Sequence, residues 1–128
     1  MQVQFFDEPG EGPRPRDEIR IRRLGLFLYE DLRRVAVGFE LTPFLERPSL
    51  AVVVTNAHGE EAAALTIIEA MQPNFNLTLH LRDSAPTESY QVEAWLYYPQ
   101  REPDGRQVVD YMTRPLDASR PGDQTEGA

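Results

Sequence analysis

Apolar residues recur along most of this chain with a period of two. Segment 19–29 (IRIRRLGLFLY) alternates as Ile19 and Ile21, slips by one residue, and resumes as Leu24, Leu26 and Leu28. A slip of that kind predicts a β-bulge near Arg22 and Arg23. Segment 33–41 (RRVAVGFEL) then sets Val35, Val37, Phe39 and Leu41 on one face. With a loop over residues 30–33, Leu28 faces Val35, Leu26 faces Val37 and Leu24 faces Phe39. The same register puts Arg23 opposite Glu40 on the other face. Apolar pairs and a charge pair agreeing in one register predict a β-hairpin.

The next apolar run, 50–55 (LAVVVT), holds three consecutive valines and reads as a strand buried on both faces. NAHG (56–59) is a turn. Residues 60–71 (EEAAALTIIEAM) carry two signals. Their alanines and leading glutamates lean to helix, whereas Thr-Ile-Ile after an Asn…Gly turn suits a hairpin return; strand is the favoured reading. Pro73 ends that element. FNLTLHL (75–81) alternates again, with Phe75, Leu77, Leu79 and Leu81 inward. Residues 90–98 follow, then a turn marked by Pro103-Asp104-Gly105, and a last strand over 108–113. About seven strands with turns at short intervals predict an all-β fold, an antiparallel two-sheet sandwich.

The run Leu81-Arg-Asp-Ser-Ala-Pro86-Thr87-Glu-Ser-Tyr90-Gln-Val92-Glu-Ala94 resembles the tyrosine corner of immunoglobulin-like and fibronectin type III-like β-sandwich domains. The resemblance extends over residues 19–115 in strand number, order and length. It implies that Tyr90 opens the sixth strand, packs its ring in the core, and bonds its hydroxyl back to the preceding loop. The cysteine pair of immunoglobulin domains is absent, and Phe39 is the nearest substitute for the aromatic expected in the second or third strand. The resemblance implies a fold and no activity.

Outside the strands, residues 1–16 form an N-terminal segment: a short apolar start, then the Pro- and Gly-rich linker DEPGEGPRPR over 7–16. The sandwich spans 17–116, and 117–128 (DASRPGDQTEGA), with almost nothing to bury, is expected to be a disordered tail. No run approaches the roughly 18 apolar residues of a membrane span. The first residues lack the basic start and apolar stretch of a secretory signal, so the expected location is the cytoplasm.

Charge narrows the partners. The net charge is −8, which argues against nucleic acid, since phosphate binding needs a concentrated basic surface. The acidity is uneven: −1 over residues 1–48 and −7 over residues 49–128. All 13 basic residues are arginines. Arg20, Arg22, Arg23, Arg33 and Arg34 form the one basic patch, a candidate surface for an acidic partner. Glu18, Glu30, Asp31 and Glu40 are near enough in sequence to neutralise much of it.

Little in the sequence points to catalysis. Without cysteine there is no disulfide, thiolate zinc site or cysteine nucleophile. His58 sits in a turn beside Glu60 and Glu61, and His80 lies on the outward parity of its strand. Two histidines far apart in sequence make no zinc-ligand set, and no acidic stretch has the alternating ligands of a calcium loop. No metal and no cofactor is therefore expected. Asn76-Leu77-Thr78 matches a glycosylation sequon by chance within a strand.

The sixth strand poses the functional question. Tyr90, Val92, Ala94, Leu96 and Tyr98 are its dry set, yet the outward set ends in Trp95 and Tyr97, with Tyr111 or Val109 of the last strand beside them. Three readings compete. The N-terminal Gln2-Val3-Gln4-Phe5-Phe6 segment covers them; they form an interface with a protein partner or a second copy; or they stack on a saccharide. The leading expectation is a non-enzymatic protein-interaction or scaffolding module, as a homodimer or with another protein. A carbohydrate-binding module is the alternative. A small hydrolase using His58 or His80 comes third.

Overall fold

The computed structural model describes residues 12–100 and 105–125. After a single 3₁₀ turn (Arg16–Glu18) come β1 (Ile21–Leu28), β2 (Arg34–Leu41), β3 (Ser49–Asn56), β4 (Glu61–Ile67), β5 (Asn74–His80), β6 (Ser89–Pro99), β7 (Arg106–Asp117) and β8 (Gly122–Asp123). They form two four-stranded sheets, ordered β5-β2-β1-β8 and β4-β3-β6-β7. Neighbouring strands are antiparallel throughout. The fold is an all-β antiparallel sandwich.

The first hairpin has the register the sequence predicts. Leu28 faces Val35, Leu26 faces Val37, Leu24 faces Phe39 and Arg23 faces Glu40, with an irregularity between Ile21 and Arg23. The ambiguous segment after the NAHG turn is strand β4, paired with β3 from Leu50↔Ile67 to Thr55↔Glu61. Packing against the valine-rich β3 overrides the helical leaning of its alanines.

Inward side chains of both sheets meet in one core. Leu24, Leu26 and Leu28 pack with Val35, Val37 and Phe39 from one sheet, and with Leu50, Val52, Val54, Val92, Leu96 and Tyr98 from the other. Each large side chain fully removed from water contributes about 1.5–3 kcal/mol before entropy is counted. Leu79 and Leu81 are buried, whereas Phe75 and Leu77 are half-buried because β5 is a sheet edge.

Two segments differ from expectation. Residues 117–125, expected to lack structure, hold β8 on the free side of β1. Gln124 N–H donates to Leu26 C=O at 2.8 Å, and Leu26 N–H donates to Thr125 Oγ1 at 3.0 Å. The end of the expected linker also packs: Arg14 bridges Phe44 in parallel. Arg16 ion-pairs with Glu46 and lies over the Tyr98 ring, 4.6 Å from its centroid.

Candidate functional site

Strict alternation from Tyr90 sets the geometry of β6. Tyr90, Val92, Ala94, Leu96 and Tyr98 are all buried in the core, so Glu93, Trp95 and Tyr97 point away from the first sheet. On the outer face Trp95 lies beside Ala51 of β3 and Tyr111 of β7. The Trp95 and Tyr111 rings are 5.3 Å apart at their centroids and inclined by 51°. Tyr111 Oη donates to Glu93 Oε2 at 2.6 Å, a bond that raises the phenol's pKa above its usual range. Trp95 is half-buried, Tyr111 is 44% exposed and Val108 51% exposed.

Tyr97 differs from the exposed role expected of it. It is only 5% exposed. β7 changes register between the partners of Leu96 and Tyr97, which brings Val108 opposite Tyr97 and Arg106 opposite Pro99. The Arg106 guanidinium then stacks over the Tyr97 ring, 4.4 Å from its centroid, a cation–π contact that takes the ring out of water. The aromatic face is therefore Trp95 and Tyr111, with Val108 continuing it and Tyr97 roofed by arginine. Whether Gln2-Val3-Gln4-Phe5-Phe6 covers this face lies outside the described residues.

The basic patch is not assembled. In an antiparallel hairpin the start of β1 and the start of β2 lie at opposite ends, so Arg20, Arg22 and Arg23 are far from Arg33 and Arg34. Their charges are also engaged. Arg34 pairs with Asp31 at 2.7 Å and stacks on Tyr29. Arg20 donates to the carbonyls of Asp17 and Ile19. Arg33 reaches the carboxylate of Asp83 at 3.3 Å, and Arg22 and Arg23 have partners of their own.

Asp83 anchors a buried polar hub that the sequence indicates only in part. Its carboxylate accepts from Tyr90 Oη and from Asn56 Nδ2, each at 2.8 Å. Desolvation pushes its pKa up, but the bonds from Asn56 and Tyr90 and the charge of Arg33 outweigh it, and the net shift is downward. Tyr90 thus ties β6 to the preceding loop through a side chain at the loop's start. A second tyrosine, Tyr98, donates to Glu46 C=O at 2.8 Å, and burial first, then Glu46, pushes its pKa up to about 12.

A second apolar surface runs along β4, an edge strand of its sheet. Leu65, Ile68 and Met71 are exposed there, and Ile67, Ala70, Met71 and Phe75 line a cleft of about 400 Å³. Another cleft of about 420 Å³ lies between the end of β7 and β8, lined by Arg114, Asp117, Arg120 and Asp123. Neither contains a histidine. His58 and His80 are exposed, in the β3–β4 turn and at the end of β5. Among the described residues no group of three or more His, Cys, Asp or Glu side chains is placed to hold a metal ion. No helix among them is long and apolar enough to cross a membrane.

No family model matches the sequence, and no curated protein matches it. Two solved glycosidases are similar to it. A glycosyl hydrolase family 2 member from Bacteroides cellulosilyticus superposes with a TM-score of 0.51 at 15% identity, over 84% of this chain and 17% of that one. A β-glucuronidase from Ruminococcus gnavus gives 0.49 at 17% identity, over 78% of this chain and 16% of that one. The chain thus spans about a sixth of the length of these glycosidases, and the likeness to the first is one of fold alone.

Proposed function

We propose that this protein is a non-enzymatic interaction module with an immunoglobulin-like, fibronectin type III-like sandwich as its frame. Its docking face is the outer face of β3, β6 and β7, centred on Trp95 and Tyr111. The folding unit takes in β8 as well as residues 17–116. One observation carries the reading: a tryptophan and a tyrosine pack together on the outer sheet surface, flanked by Ala51 and Val108, where alternation calls for polar residues. Partly exposed aromatics on an apolar surface are the side chains that dominate protein interfaces.

The sheet's sandwich frame is supported by strand order and by the Tyr90 tie to the preceding loop. The non-enzymatic reading is supported by two exposed histidines whose rings take no part in the described hydrogen bonds. Carbohydrate binding is the second reading, favoured by an aromatic pair with a carboxylate beside it. The 51° inclination of the two rings weighs against it, because a shared stacking platform needs near-coplanar rings.

A glycan panel read by the emission of Trp95, the only tryptophan, tests the choice. The interaction reading expects no response to any saccharide, and an accessible Trp95 that acrylamide quenches in the dilute monomer. A saturable emission change with one glycan class, abolished by Trp95→Ala, would replace it with the carbohydrate reading.

A further inference from the structure

The charges around the aromatic face are arranged so that the face complements itself. Along β6 and β7 the outward rows run Glu93 with Thr113, Trp95 with Tyr111, Tyr97 with Val108, and Pro99 with Arg106. An acid therefore stands toward one end and a base toward the other, with the apolar Trp95–Tyr111 row between them and the Arg106 guanidinium reaching inward over the Tyr97 ring. The end rows are six residues apart, ~20 Å at about 3.3 Å per residue. Their midpoint falls between the Trp95 row and the Tyr97 row.

We propose that the partner of this face is a second copy of the chain, related by a two-fold axis that lies in the interface and runs across the strands. This rests on the reading of the aromatic face as a docking surface. Such an axis through the midpoint turns the Glu93 row of one copy onto the Arg106 row of the other, and does so twice. It also sets the Trp95–Tyr111 row against the other copy's Tyr97–Val108 row. The two most exposed apolar side chains of β7, Tyr111 and Val108, then cover each other. Arg106 keeps its place over Tyr97 and extends the interface to the other copy's Glu93.

β3 and β4 add no basic residue to the face; Ala51, Val53, Ala64 and Thr66 continue it as small or apolar positions, with Glu61 at the rim on the acidic end. Both acids thus sit at the end that meets Arg106. The alternative axis, parallel to the strands, sets Glu93 against Glu93 and Arg106 against Arg106, and like charges across an interface are unfavourable. Four strands about 4.8 Å apart and ~20 Å of strand length make a small face, so the dimer is weak, with a Kd on the order of micromolar.

Sedimentation equilibrium of the full chain tests this with paired charge reversals. Wild type is expected to interconvert between monomer and dimer at micromolar concentration. Glu93→Arg and Arg106→Glu should each weaken the dimer by roughly tenfold or more, and the double reversal should restore it. Because Glu93 also holds Tyr111, Glu93→Gln serves as a milder variant that keeps a hydrogen-bond acceptor; it should weaken the dimer less and make it less sensitive to salt.

Failure of this inference is separable from failure of the reading beneath it. A dimer lost in Trp95→Ala/Tyr111→Ala but indifferent to the reversals keeps the face and overturns the two-fold arrangement. A wild type that stays monomeric at high micromolar concentration overturns the second copy as partner, and acrylamide quenching of Trp95 then decides whether the face is open. A dimer that persists in Trp95→Ala/Tyr111→Ala overturns both.

Discussion

Replacing Tyr90 with phenylalanine removes one oxygen and leaves the ring that fills the core. In the native protein that oxygen donates to Asp83 Oδ2 at 2.8 Å, and the Asp83 side chain is fully buried. Without it the carboxylate keeps Asn56 at 2.8 Å and Arg33 at 3.3 Å. A hydrogen bond to a buried charged group is worth about 1.5–3 kcal/mol. At about 5 °C per kcal/mol for a domain of this size, the melting temperature should fall by roughly 7–15 °C.

The pH dependence carries a sign. Asp83 has a folded-state pKa below its ordinary value of 3.8, so its contribution is present in full above about pH 4 and lost as pH falls through the folded-state value. Tyr90→Phe takes away one of the bonds that lower that pKa. The gap between variant and wild type should therefore be widest at neutral pH and narrow in acid. Urea unfolding of both proteins at pH 7 and near pH 3 measures it. A difference below about 0.5 kcal/mol at neutral pH, or one of equal size at both pH values, would refute the Asp83 hub as a charged anchor.

Tyr98→Phe should cost about 1 kcal/mol through its lost bond to Glu46 C=O. In near-ultraviolet titration the same variant should lack the tyrosine that ionises only at about pH 12. Ending the chain at Asp117 removes β8 and both bonds to the Leu26 backbone. It should lower stability by roughly 1–2 kcal/mol and speed exchange of the Leu26 amide by about tenfold. Ile68→Lys, at a 67% exposed position just past the end of the β4 edge, should change stability by less than about 0.5 kcal/mol and reduce aggregation on heating. Thermal unfolding with light scattering separates the two effects.

Local signals explain what was legible. The β1–β2 register needed only short-range pairing rules, because a slip of one residue would have turned every apolar side chain outward. The outward placement of Trp95 followed from alternation in β6, which holds from Tyr90 to Leu96, while its neighbour in β7 was legible only as Tyr111 or Val109. Tyr97 escaped the same rule because its cover is Arg106, delivered by a register change in a different strand.

Long-range partners explain the rest. Asp83 joins Asn56, 27 residues before it, and Arg33, 50 residues before it, and no spacing rule links three loop ends. β8 was hidden because two residues between Pro121 and Gln124 have no apolar pattern. Its place is fixed by backbone bonds and by the side chains of Gln124 and Thr125, with Gln124 accepting from Asp117 N–H at 2.8 Å. The arginines looked clustered in sequence because a hairpin brings segments together in number before it separates their ends in space.

The docking proposed for the outer face around Trp95 and Tyr111 is against protein, and against a second copy first. Trp95 emission, recorded from high micromolar to nanomolar protein, addresses it most directly, since the chain has one tryptophan. Blue emission at high concentration should turn red on dilution, with the midpoint at the Kd from sedimentation. Emission that stays constant over the whole range, in a protein whose mass is monomeric throughout and whose Trp95 resists acrylamide, would contradict it.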